Sequence, residues 1–147
     1  MNKRWLMALS LAVSSSLLAA PVRSQTEIIG SYYKTPEQKA MECYGRGVKA
    51  KRKADGEKDP AKQAKLYLKA KEELSKSVGL QPHYDGYLAL GQVYLALGNP
   101  ESAFDACSHA QGLKPKDETA KACAEEAWKK VQEAARQKAD GQEGNGG

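Results

Sequence analysis

The chain is poor in the residues from which most chemical sites are built. It has two histidines, three cysteines and one phenylalanine among 147 residues, so a metal centre of imidazoles and thiolates has few donors to draw on. His83 and His109 have no second histidine or acid at a ligand spacing on the same face. Cys107 and His109 lie two apart in a helical stretch and therefore point away from each other. No serine sits in a nucleophile elbow, and no glycine-rich loop follows a strand, because no segment has the pattern of a strand. The adjacent carboxylates Glu72-Glu73 and Glu125-Glu126 fall on hydrophilic faces and read as solvated surface. These absences leave no candidate catalytic, cofactor-binding or metal-binding residue, and the expectation is a protein with no enzymatic activity and no cofactor.

Long apolar runs are also scarce. Trp5 to Ala20 is one, diluted by serines, preceded by Lys3 and Arg4 and followed by Val22-Arg23-Ser24 before Gln25. That is the pattern of a secretory signal peptide over residues 1–24, and the run falls short of the roughly 20 residues of a spanning helix. No cysteine follows it, which argues against a lipid-anchored form. Export to the periplasm or the exterior is therefore expected. Three of the 23 Lys+Arg (Lys3, Arg4, Arg23) and none of the 18 acids lie in residues 1–24, so 20 cations face 18 acids in the remainder, a net charge of +2. So near a balance, with no aromatic residues interleaved among the basic ones, does not point to a nucleic-acid partner.

What the chain has in quantity is helix-forming residue, rich in Ala, Lys, Glu and Leu, punctuated by caps. Tyr87, Leu90, Val93, Tyr94 and Leu97 recur at helical intervals, and Gly98 offers the left-handed conformation that ends a helix. Asn99 then caps and Pro100 opens a second helix, whose stripe of Phe104, Cys107 and Ala110 runs until Gly112. A turn this short forces the two helices antiparallel. Tyr87, Leu90, Gly91, Tyr94, Ala103, Cys107, Ala110 and Pro115 together carry a spacing that resembles the tetratricopeptide repeat, a helical hairpin of roughly 34 residues. Tyr87 stands where that family usually has Trp, and Cys107 where it usually has Phe. The resemblance implies an all-α solenoid of α-hairpins.

A first, diverged unit precedes it. Thr35, Pro36 and Gln38 give a capped helix start, and Met41, Tyr44, Gly45 and Val48 repeat the intervals of Tyr87, Leu90, Gly91 and Tyr94. Asp59-Pro60 repeats Asn99-Pro100, and Gly79-Leu80-Gln81-Pro82 returns one repeat length further on as Gly112-Leu113-Lys114-Pro115. Gly45 stands about twice as far from Ala70 along the chain as Gly91 does from Ala103, so the extra length goes into longer helices or a projecting loop around Ala54–Asp59. The expected layout is an N-terminal segment 25–34, repeats over 35–82 and 84–117 within a domain of 35–139, a capping helix over 117–139, and a disordered tail, 140–147. In the capping helix Glu125 takes the slot of Gly45 and Gly91.

Stacking as in the family sets Cys107 against the capping helix that carries Cys123, which implies a Cys107–Cys123 bridge with Cys43 unpaired; three small apolar fillers are the alternative. The family's concave face, carried over by spacing, implies a partner-binding groove lined by Lys39, Glu42, Arg46 and Lys49, then Asp85, Leu88, Gln92 and Leu95, then Thr119, Ala122, Glu126 and Lys129. Leu88 and Leu95 would be exposed there unless a protein partner, the Tyr32-Tyr33 segment or a second copy in a homodimer covers them. The implied function is a non-catalytic module that holds a peptide or a partner helix. The alternative is binding of an anionic envelope polymer or membrane surface through the basic run Lys49–Lys58.

Overall fold

Capping chemistry divides the described residues into five helices. The computed structural model describes residues 34–143 and, among them, side chains to residue 139. The expected signal peptide 1–24, the rest of the expected N-terminal segment to residue 33 and the end of the expected tail from residue 144 lie outside the described residues. Helices α1 (Pro36–Asp55), α2 (Pro60–Leu80), α3 (Tyr84–Ala96), α4 (Pro100–Leu113) and α5 (Glu118–Glu143) follow one another. Thr35 Oγ1 accepts from Gln38 N at 3.2 Å while Thr35 N donates to Gln38 Oε1 at 3.0 Å, a closed capping box. Asp59 accepts from the N–H groups of Ala61 and Lys62, and Asn99 from that of Ser102. In each of these helices a proline occupies the first turn, where its missing N–H costs no bond.

The helices pack as sequential antiparallel pairs. α1 lies on α2, α2 on α3, α3 on α4 and α4 on α5, while α3 also touches both α1 and α5. Alanine dominates the buried residues, and the largest fully buried side chains are Leu74, Val93, Cys107 and Ser77. Small residues let the helix axes approach closely, so much of the packing involves backbone and Cβ atoms. One cluster joins the hairpins through Ala50, Ala70, Leu74, Val78, Ala89, Leu90, Val93 and Ala106; a second joins Cys107 to Cys123 and Ala124 of α5.

The extra residues of the first hairpin lengthen both of its helices. α1 and α2 have 20 and 21 residues against 13 and 14 in α3 and α4. Their far end is tied by Tyr67 Oη donating to Asp55 at 2.8 Å and by Gln63 Nε2 donating to Ala54 O at 3.1 Å. Two helix ends differ from expectation. Gly98 has φ 71° and stops α3, but Gly112 does not adopt a positive φ, so α4 runs on to Leu113. α5 continues to Glu143, past the expected end at Ala139.

The first hairpin's register needs a correction. Gly45, expected at the helix crossing, has nothing within 4 Å of the place a Cβ would take, whereas a Cβ on Gly47 would meet Leu74 Cγ at 2.6 Å. Gly47 is therefore the counterpart of Gly91, where a Cβ would lie 3.4 Å from Ala103 O and closer still to the Cys107 sulfur. A two-residue shift turns a helix by about 200°, which moves every inferred position on α1 to nearly the opposite face.

Candidate interaction surface

The register of the glycines sets which side chains α1, α3 and α5 present together. On α3, Asp85 and Gln92 are exposed while Leu88 and Leu95 are half-buried, and on α5 Thr119, Ala122, Glu126 and Lys129 are exposed. The two leucines pack against the cluster of Cys107, Cys123 and Ala124, so the chain's own fifth helix covers part of them. They are thus not the bare apolar anchors expected. On α1 the inferred residues Lys39, Glu42, Arg46 and Lys49 are exposed but off the shared face. Glu42 pairs with Lys34, and Arg46 Nε donates to Glu73 of α2 at 2.7 Å.

With Gly47 matched to Gly91, the α1 residues that continue the strip are Met41, Tyr44, Val48 and Lys51. Met41 is 58% exposed, and Tyr44 and Val48 are half-buried against the core. Burial and the nearby Asp85 carboxylate raise the Tyr44 phenol above its ordinary range, which sets this ring beside the α3 part of the strip. The signal that finds this register is a stripe of small residues, Ala40, Cys43, Gly47, Ala50 and Ala54, all buried. It is the only face of α1 on which another helix can lie so close.

Two tethers hold the strip's helices in place. Cys107 and Cys123 are joined across α4 and α5 with Cα atoms 5.7 Å apart, and Cys43 is a free, buried thiol. A disulfide here is consistent with an oxidising, extracytoplasmic compartment. The second tether is polar. Ser77 Oγ donates to Ala40 O at 2.7 Å, and its other contact is His83 Nε2 at 2.9 Å. His83 Nδ1 accepts from Gly86 N at 3.0 Å, so Nε2 carries the proton and donates to Ser77. The imidazole thus caps α3 and links it through Ser77 to α1, while Tyr44 meets its ring edge-on at 5.2 Å. The serine proton points at a carbonyl and the imidazole lone pair at a backbone amide, an arrangement suited to a strut and not to nucleophile activation.

No family model, curated protein or solved structure matches the chain.

Elsewhere on the surface, His109 stacks on Tyr87 at 5.0 Å beside a cleft of about 410 Å³ lined also by Pro82, Asp105 and Leu113. Phe104 and Trp128, 5.3 Å apart, border another of about 430 Å³ between α4 and α5. Among the described residues no group of three or more His, Cys, Asp or Glu is placed to hold a metal, and no helix is long and apolar enough to cross a membrane. Within the basic run, Lys51 is paired with Asp55 at 3.0 Å, and Lys49 and Lys53 turn toward α2.

Proposed function

We propose that the chain is a non-catalytic protein–protein interaction module of tetratricopeptide-like build, exported to an oxidising compartment, that holds a peptide or partner helix against the layer of α1, α3 and α5. The observation that carries this reading is that burial recurs at a fixed interval. Ala70, Leu74 and Ser77 of α2 and, one repeat length further along, Ala103, Cys107 and Ala110 of α4 are all 0% exposed. Ala89, Leu90 and Val93 of α3 are matched at nearly the same interval by Cys123, Ala124 and Ala127 of α5, again buried. A chain that repeats one packing unit leaves one repeated face free, and here that face carries Met41, Tyr44, Val48, Leu88 and Leu95 among polar neighbours. Half-exposed apolar residues set in a polar rim at helical spacing are the usual means of seating an amphipathic helix.

The test is crosslinking and mass spectrometry on the exported protein, comparing the native chain with Met41→Asp/Gln92→Lys/Ala122→Arg. These positions are exposed, and the variant is expected to keep its melting temperature while losing its crosslinked partner. Retention of the partner by this variant, or crosslinks confined to the outer faces of α2 and α4, would overturn the reading.

A further inference from the structure

The cleft between α1 and α2 gathers positive charge in a way that capping the stack does not require. Arg46, Lys49 and Lys53 recur at three and four residues along α1, and Lys69 faces them from α2. Together with Ala50 and Leu66 they line about 290 Å³, near the lower end of the roughly 300–1,000 Å³ of ligand-sized clefts. Arg46 is neutralised by Glu73, while Lys49, Lys53 and Lys69 have no ion-pair partner among the described residues.

The two hairpins make this set stand out. In the corrected register Arg46 and Lys49 occupy the places of Leu90 and Val93, which the second hairpin buries between the hairpins. Among the described residues the first hairpin has no earlier hairpin to pack against, so polar residues belong on this face. Solvation alone would be met as well by charges of both signs, and without the repulsion of three like charges around one cleft. Gly47 and Leu74 lie 27 residues apart against 16 for Gly91 and Cys107, so Lys53 and Leu66 flank an insertion of 11 residues.

We infer that this cleft binds phosphate groups carried on a chain or a surface, with Lys49, Lys53 and Lys69 donating to the phosphate oxygens and Ala50 and Leu66 forming an apolar floor. Lysine suits the task as a mobile point charge with three donors, and several such contacts sum on a multivalent anion. The shared chemistry is the phosphate oxyanion, which a lipid headgroup or a soluble phosphate polymer can supply.

The experiment uses the full chain in low salt with two probes, inorganic polyphosphate measured by calorimetry and phosphatidylglycerol-containing vesicles measured by co-sedimentation against pure phosphatidylcholine vesicles. Lys49→Glu/Lys53→Glu/Lys69→Glu is compared with Lys116→Glu/Lys130→Glu/Lys138→Glu, which changes net charge equally at exposed sites away from the cleft. Binding of the native chain is expected to weaken by roughly tenfold or more for each cleft lysine lost, and to be kept within a few-fold in the other variant. Cleft-dependent binding of vesicles alone assigns a headgroup, and cleft-dependent binding of polyphosphate assigns a soluble polymer. Equal loss in the two variants, or no binding of either probe, would overturn the inference. Circular dichroism melts guard the comparison, since all three cleft lysines are exposed and their reversal should leave the fold intact.

Discussion

The two hairpins solve one packing problem with different materials. In each, a glycine of the first helix receives a side chain of the second: Gly47 takes Leu74, and Gly91 takes the Cys107 sulfur. Leucine is flexible and held only by its neighbours, whereas Cys107 is also bonded to Cys123 of α5. The first hairpin therefore depends on apolar burial and on length, and the second on a covalent stitch to the helix that follows. Similar geometry does not imply similar sources of stability.

Replacement of Leu74 by alanine is expected to have the largest effect. It empties the crossing of the first hairpin and the cluster between the hairpins, at an expected cost of about 3–4 kcal/mol in denaturant unfolding. Removing the disulfide by Cys107→Ala/Cys123→Ala is next. The bond spans 16 residues, a loop for which about 3 kcal/mol is expected. Hydrogen exchange should then show α5 opening ahead of the first hairpin, and uniform loss of protection would contradict the division of labour drawn above.

The glycines sharpen the contrast at smaller scale. At Gly47 the nearest atoms belong to the Leu74 side chain, which can turn aside, although its backbone N follows at 3.2 Å. At Gly91 a Cβ would press on a bonded sulfur and, at 3.4 Å, on the Ala103 carbonyl. Gly91→Ala is thus expected to cost about 2 kcal/mol and Gly47→Ala about 1 kcal/mol, the helix preference of alanine being offset in both. Equal melting temperatures for the two variants would refute the stated difference.

The smallest effect concerns the joint before α5. Partial burial and the nearby Asp117 carboxylate push the Tyr84 phenol up to about 12, and the Tyr84 hydroxyl, with the Thr119 backbone N–H, holds the Asp117 carboxylate below its usual range. The phenol's contribution is full below its ordinary value of 10.0 and is lost as pH rises toward about 12. The carboxylate's contribution is present above the usual carboxylate range and is lost as pH falls through the lowered value. Tyr84→Phe should flatten stability in both windows, and unchanged pH profiles would exclude the coupling.

Much of the fold is legible in the chain because capping is local. Thr35, Asp59 and Asn99 with their prolines mark helix starts that depend on neighbouring residues alone, and Gly79-Leu80-Gln81-Pro82 and Gly112-Leu113-Lys114-Pro115 mark the ends of α2 and α4. The strip was legible only in part. Gly45 and Gly47 are both glycines on one helix, and the periodicity of Met41, Tyr44 and Val48 is that of a helix whichever face is turned inward. Stripe and glycine agree only when the partner helix is known, because close approach is a property of two surfaces.

Sequence alone was enough to determine the order of the helices among the described residues and the capped starts of α1, α2 and α4, since each rests on interactions within a few residues. Only the tertiary structure decided that Gly47 and not Gly45 meets α2, that Leu88 and Leu95 lean on the disulfide, and that four cations from two helices share one cleft. Each of these depends on the rotation of one helix against another, and that angle follows from the packing of distant side chains.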